Sequence, residues 1–238
     1  MRPLQLCRAA LVLVVVPPLT LLISIAALVH LMVFRGSSTT VQALPRAWAK
    51  IILGIAGVTV RVEGAEKLNP RGTYIFAANH QSQLDILALQ GWLGFDFRWL
   101  AKKELFQVPV WGAAMRRSGS IPVNRGQGRA ALRSLDEAAQ RIADGTSVAI
   151  FPEGTRTPDG RLQPFKGGAM VLAIKSGVPV VPVGIAGTFQ VLPKGSLLVR
   201  RTGEAIIRLG EPIQTAGFSV KQKQELAERL QGEVARLL

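Results

Sequence analysis

The chain is short of the groups that most often announce a function. It has one cysteine and two histidines in 238 residues. A single thiol, Cys7, closes no internal bridge, so a disulfide framework is excluded. It sits at the edge of an apolar run with no local partner to lower its pKa, which argues against a catalytic thiol. Two separated histidines and one cysteine make no metal cluster. His30 lies inside the apolar run, which leaves His80 as the one near-neutral base in the polar part of the chain. Aromatic residues are 6% of the total and are not interleaved with cations, unlike a surface that stacks nucleic-acid bases. Acids are also few, 15 against 29 lysines and arginines, for a net charge of +14. That excess implies an anionic partner: nucleic acid, anionic lipid headgroups or phosphorylated substrates. No internal repeat or low-complexity tract is visible, and the length suits one catalytic domain with a short extra segment.

That segment is apolar. Residues 9–34 contain no Asp, Glu, Lys or Arg. As a straight helix they would reach roughly 39 Å, enough to cross a hydrocarbon core of about 30 Å. The apolar core is longer than that of a secretory signal and lacks a clean small-x-small cleavage site, so a retained membrane segment is the expectation. Pro17-Pro18 sits mid-run and should break or kink a helix. A second apolar stretch follows at 48–58. Arg2 and Arg8 precede the first run, and Arg35 and Arg46 follow it. The positive-inside rule prefers both flanks in the cytoplasm. A membrane-dipping, re-entrant hairpin satisfies both; a simple kinked span is the alternative.

From about Gly57 the pattern alternates between short strands and helices. Strands are expected at 58–62, 73–77, 97–101, 120–123, 147–151, 178–185 and 205–209, each rich in Val, Ile or Phe and bounded by Gly, Pro or Asn. Ala131, Leu135, Ala138 and Ile142 form one apolar helix face, with a stop at Gly145, and Leu226, Leu230, Val234 and Leu237 form another. The expected fold is α/β: a mixed, largely parallel sheet flanked by helices, with an N-terminal membrane-embedded segment and connector over 1–57 and a catalytic domain over 58–238.

Five clusters lie at strand ends or in the loops after them, where open α/β sheets place their ligand sites. In Asn79-His80-Gln81-Ser82-Gln83-Leu84-Asp85, an acid near a histidine can set its tautomer and steady the imidazolium. Ser82 is badly spaced as a nucleophile, so the attacking hydroxyl would belong to the substrate. The same spacing also fits a capping histidine beside an unrelated surface aspartate. In Phe151-Pro152-Glu153-Gly154-Thr155-Arg156-Thr157, Glu153 could accept hydrogen bonds from a polyol and Arg156 could grip a phosphate through two parallel bonds; a polar turn is the plainer reading. Arg125 closes Gly119-Ser120-Ile121-Pro122-Val123-Asn124. Lys166 sits in Phe165-Lys166-Gly167-Gly168 before an apolar helical stretch, a position suited to an anion. Either cation alone also fits a solvated surface. Val180-Val181-Pro182-Val183-Gly184 reads best as a buried strand with an edge or end at its proline.

In this order the clusters resemble the 1-acylglycerol-3-phosphate acyltransferase family of glycerolipid acyltransferases, over roughly residues 46–215. The N-H-x-S-x-x-D box matches at Asn79, His80, Ser82 and Asp85, and the F-P-E-G-T-R box at residues 151–156. Lys102-Lys103-Glu104-Leu105 with Pro109 and Gly112, F-K-x-G at 165–168 and V-P-V at 181–183 also fit. One box departs: Pro122 and Asn124 stand where the family usually has an aromatic and an acid before its arginine, although Arg125 itself matches.

The resemblance implies transfer of a fatty acyl group from an acyl-CoA or acyl-ACP thioester to the sn-2 hydroxyl of lysophosphatidic acid, giving phosphatidic acid. His80 would be the general base and Asp85 its orienting acid. Arg125 and Arg156 would bind the acceptor phosphate, Lys102 and Lys166 the acceptor or donor phosphates, and Glu153 the glycerol. Thr155 would contribute to the substrate site, and a backbone N–H near Gly154 to oxyanion stabilisation. No metal or other cofactor is implied. The expected location is the cytoplasmic face of the inner (plasma) membrane, against anionic phospholipid. The departure at 122 and 124 leaves room for another lysolipid acceptor. A non-catalytic, membrane-tethered binder of anionic ligands is the reading from a different class.

Overall fold

A computed structural model describes residues 3–33, 36–124, 126 and 128–238. Arg125, expected to bind phosphate, lies outside the described residues, as do the flanking Arg2 and Arg35. All seven expected strands form: β1 (Val58–Glu63), β2 (Ile75–Ala78), β3 (Arg98–Lys102), β4 (Ile121–Val123), β5 (Val148–Ile150), β6 (Val180–Ala186) and β7 (Gly203–Leu209). They join one mixed sheet in the order β1-β7-β6-β2-β5-β3-β4. The pairs β6–β2, β2–β5, β5–β3 and β3–β4 are parallel, as is β1–β7, while β6 and β7 run antiparallel.

The central strands carry near-continuous apolar runs because both faces of the sheet are covered. Side chains alternate between the faces. From β2, Phe76 and Ala78 enter a core built with α2 (Ala43–Ala56) and α3 (Leu84–Trp92). Ile75 and Ala77 enter a second core with α5 (Arg129–Ala143), α6 (Gly167–Ser176) and α8 (Lys223–Arg236). α5 and α8 bury the apolar faces expected of them through Ala138, Ile142, Leu226, Leu230 and Val234. α4 (Trp111–Arg117) and the short α7 (Thr188–Val191) complete the helices described below.

Pro17-Pro18, expected to break or kink a helix, do not end one. α1 (Pro3–Met32) runs through both prolines without a break. The chain reverses instead over residues 36–42, and α2 returns along α1: the Trp48 indole N–H donates to Thr20 Oγ1 at 3.0 Å, and His30 Nε2 lies 3.0 Å from Thr40 Oγ1. The physical reason is local. A proline deletes only its own donor and crowds one carbonyl a turn earlier, and an apolar helix absorbs this when hydroxyls and a neighbouring helix support the turn. Here Thr20 Oγ1 donates to the Val16 carbonyl at 2.6 Å and Ser24 Oγ to that of Thr20 at 2.7 Å. Residues 5–32 make a helix long and apolar enough to cross a membrane, and little of it is buried. α2, by contrast, is part of the core: its Ala49, Ile52, Leu53 and Ala56 are buried in the same cluster as the sheet.

Candidate active site

Four neighbouring parallel strands, β6, β2, β5 and β3, end on the same edge of the sheet, and the sequence motifs are their continuations. Asn79 and His80 leave β2, residues 151–156 leave β5, Lys102 ends β3, and Thr188 follows β6. The two boxes lie 73 residues apart in the chain, yet the His80 backbone N–H donates to Glu153 Oε1 at 2.7 Å. Parallel pairing of Ile75 with Val148 and of Ala77 with Ile150 sets that meeting.

Asp85 sits in the first turn of α3 and is fully buried, while the His80 side chain keeps 13% of its surface exposed. Asp85 Oδ2 lies 2.9 Å from His80 Nδ1 and accepts the backbone N–H groups of Gln81 at 2.6 Å and Ser82 at 2.8 Å. Thr188 Oγ1 donates to Asp85 Oδ1 at 2.5 Å. An ionised carboxylate only accepts, so Nδ1 carries the proton in the neutral imidazole and Nε2 is left with its lone pair. The ring is clamped from a second direction by Phe151: the centroids are 3.8 Å apart and the planes 10° from parallel. Trp99 lies beyond Phe151 in a looser stack at 5.8 Å.

The loop between β2 and α3 is tied down residue by residue. Asn79 exchanges two bonds with the backbone of Ile185, accepting its N–H at 2.7 Å and donating to its carbonyl at 2.9 Å. Ser82 Oγ accepts the N–H of Leu84 at 3.1 Å, capping the helix entry, and donates to the Leu192 carbonyl at 2.6 Å. Ser82 is therefore a fastener of the loop. The Thr157 N–H donates to the His80 carbonyl at 2.8 Å, closing a second link between the boxes.

Glu153 is placed differently from a ligand of glycerol. It is 2% exposed. Oε1 accepts from the His80 N–H, and Oε2 accepts from the backbone and side-chain amides of Gln163 at 3.3 and 3.1 Å. Both oxygens are thus used within the protein, because the strand end from which Glu153 leaves is itself buried. Burial pushes its carboxyl above the ordinary 4.5, the nearby Asp85 charge acts in the same direction, and the hydrogen bonds from His80 and Gln163 oppose both. The Gly154 N–H donates to the Phe151 carbonyl at 3.0 Å, which closes the tight turn. The turn needs a positive φ, 75° at Gly154, which favours glycine, and the open space left by the missing Cβ is filled by the end of the Lys166 side chain.

The cations gather around this turn. Lys166 lies beside Gly154. Arg156 and Lys102 line the adjacent cavity, Lys102 pairing loosely with Glu104 at 3.8 Å on the surface. Lys194, which the motifs do not include, donates to the Arg156 carbonyl at 2.8 Å and to Thr155 Oγ1 at 3.2 Å. The cavity holds about 360 Å³ and runs from His80, Gly154, Thr155 and Arg156 past Trp99 and Leu100 to Trp111 and Met115 of α4 and to Ile23 and Ala27 of α1. One end is cationic and carries the imidazole; most of the remainder is hydrocarbon and aromatic. Such a cavity can take a molecule with an anionic head and an apolar chain and present it to a base.

Thr188, Gln163, Lys194 and the stacking role of Phe151 escape a reading by motif. Phe151 at least lies inside the second box, and Gln163 follows it by a few residues without a motif of its own; Thr188 and Lys194 reach the site from distant stretches of chain.

Comparisons with known proteins identify the family. The acyltransferase family model matches residues 59–186. A chloroplastic 1-acyl-sn-glycerol-3-phosphate acyltransferase from Brassica napus is 39% identical over 153 residues, 64% of this chain and 44% of that protein. The human 1-acyl-sn-glycerol-3-phosphate acyltransferase alpha is 30% identical over 197 residues, 82% of this chain and 69% of that protein. The chain spans about half the length of the Brassica and Arabidopsis chloroplastic relatives. The crystal structure of the 1-acyl-sn-glycerophosphate (LPA) acyltransferase PlsC from Thermotoga maritima matches with a TM-score of 0.67 and 29% identity, covering 91% of this chain and 95% of that one.

Proposed function

The chain belongs to the acyltransferase family, and on that premise we propose that it acylates the sn-2 hydroxyl of lysophosphatidic acid to form phosphatidic acid. The observation that carries this reading is the His80 imidazole, held by Asp85 and Phe151 at the cationic end of an otherwise apolar cavity. In the reaction, His80 Nε2 takes the proton of the acceptor hydroxyl as its oxygen bonds to the thioester carbonyl carbon. The tetrahedral oxyanion collapses, the carbon–sulfur bond breaks, and the imidazolium returns the proton to the departing thiolate. Asp85 stabilises the imidazolium between these transfers. No acyl-enzyme is needed, which accords with Ser82 acting as a loop fastener.

Arg156 holds the acceptor phosphate, with Arg125 as its partner. Lys102 and Lys166 neutralise the acceptor or donor phosphates, and Thr155 adds a hydroxyl at the mouth. Glu153 acts through position: it holds the His80 backbone against the second box. The acyl chain lies along the apolar cavity. The donor is an acyl-CoA or acyl-ACP thioester, used as a co-substrate. α1 holds the enzyme on an anionic membrane, with residues 58–238 as the catalytic unit on its cytoplasmic face. There the basic surface meets anionic headgroups, and the acceptor need not leave the bilayer.

The test is acyl transfer by purified, lipid-reconstituted protein, offered a panel of lysolipids with acyl-CoA or acyl-ACP. Phosphatidic acid should be the main product. Turnover confined to an acceptor without phosphate would reject the proposed acceptor, and no transfer from either thioester would reject the reaction.

A further inference from the structure

The connection between α7 and β7 has a construction that the reaction does not use. The Arg200 N–H donates to the Val191 carbonyl at 2.8 Å, so the loop returns to its starting point in the manner of an Ω-loop. It braces itself: the Ser196 N–H donates to the Pro193 carbonyl at 3.1 Å, and Ser196 Oγ donates to the Leu198 carbonyl at 2.9 Å. Leu192 and Val199 anchor its base in the core. With that base secured, Leu197 and Leu198 are nevertheless turned outward, 76% and 39% exposed. Adjacent exposed leucines on an ordered loop have no folded-state reason to be apolar.

Two relationships indicate what covers them. The first is charge and place. Lys194, Arg200 and Arg201 flank the leucines and are exposed. The C-terminal flank of the loop and the first turns of α1 both approach Gly57: a Cβ there would stand 2.6 Å from Thr202 Cγ2 and 2.7 Å from Arg8 Nη1. That end of α1 exposes Leu6, Leu11 and Val14. An apolar tip ringed by cations, continuous with an apolar helix, suits the interface of an anionic bilayer, where leucines enter hydrocarbon and cations stay among the headgroups. The second relationship is attachment. The base of the loop accepts Ser82 Oγ at the Leu192 carbonyl, and Lys194 holds the Arg156 carbonyl and Thr155 Oγ1. The loop is fastened to both motif loops.

We propose that loop 192–199 inserts Leu197 and Leu198 into the interface of an anionic phospholipid bilayer, as a second membrane contact that sets the active-site mouth at headgroup level. The inference rests on the membrane-anchored reading above, and its test separates the two. Full-length protein with Cys7→Ser receives one nitroxide-labelled cysteine, at Leu197→Cys, at Leu22→Cys on the exposed side of α1, or at Gln224→Cys on α8. Each variant is reconstituted into vesicles containing phosphatidylglycerol. Collisions with oxygen, which enters lipid, are compared with collisions with a water-soluble nickel chelate. The label at 197 should lie in lipid and the label at 224 in water. A label at 197 as accessible to the chelate as that at 224 overturns the proposal and leaves the loop to a protein partner or to solvent. The label at 22 reports on the anchor alone, so a hydrated label there rejects the anchored reading whatever the loop does. Rates give a second readout. Leu197→Asp with Leu198→Asp should slow transfer to an acceptor presented in vesicles several-fold and leave transfer in detergent micelles unchanged; equal loss in both also overturns the proposal.

Discussion

His80 lies flat against Phe151, with ring centroids 3.8 Å apart and planes inclined by 10°. The stack fixes the one ring rotation that the hydrogen bond to Asp85 leaves soft. Replacing Phe151 with Leu keeps an apolar side chain and removes the face. We expect kcat to fall about tenfold, for a contact worth roughly 0.5–2 kcal/mol, with KM nearly unchanged. Steady-state kinetics check this, and a change carried mainly by KM would reject it.

His80→Ala should abolish transfer, a loss on the order of a hundredfold to ten-thousandfold for a general base, while the protein stays folded and membrane-bound. Circular dichroism and vesicle flotation establish the second condition. Substantial turnover by the purified variant would refute the base assignment.

Asp85→Asn separates charge from geometry. Oδ2 accepts three donors and Oδ1 accepts Thr188 Oγ1. An asparagine can keep its oxygen toward His80 and turn its amide toward Thr188, whose hydroxyl accepts as well as donates. The loop and the tautomer then survive and only the negative charge is lost. We expect kcat to drop about a hundredfold or more with little loss of stability in denaturant titration. A variant as active as the parent would reject Asp85 as the stabiliser of the imidazolium.

Arg156→Ala should raise KM for lysophosphatidic acid, by about tenfold to a hundredfold for a lost charge-assisted hydrogen bond of roughly 1.5–3 kcal/mol. KM for an acceptor without phosphate should change much less. Equal effects on the two acceptors would reject a phosphate role.

Glu153 yields a prediction about stability and pH. Its folded-state carboxyl binds a proton more tightly than the ordinary 4.5 because it is buried. The folded state therefore holds more protons than the unfolded state just above that value, and stability falls as pH rises through the folded pKa. Glu153→Gln cannot titrate, so its stability relative to the parent should improve from about pH 4 to about pH 7. Denaturant midpoints at both ends measure this. A difference independent of pH would show that the carboxyl is not shifted on folding.

Much of this was readable along the chain. Seven short apolar runs bounded by Gly, Pro and Asn became seven strands, because local turn chemistry and burial agree at each. Both boxes were legible because each is a short stretch leaving a strand. The prolines at 17 and 18 misled, since a helix break depends on what lies beside the helix, and α2 with the hydroxyls of Thr20 and Ser24 supports the turn. The partners of Glu153 were not legible either: its type suggests a ligand, and only the fold shows that it is buried and accepts from His80 and Gln163.

The fold class and the apolar first helix follow from periodicity along the chain, and the pairing of His80 with Asp85 follows from the resemblance of their box, since spacing alone left it open. What surrounds that pair is set by the fold. Thr188 reaches Asp85 across 103 residues and Glu153 reaches the His80 backbone across 73, because parallel strands β6, β2 and β5 end on one edge of the sheet. Strand order is set by packing both faces of the whole sheet, and no local stretch of sequence encodes which strand becomes whose neighbour.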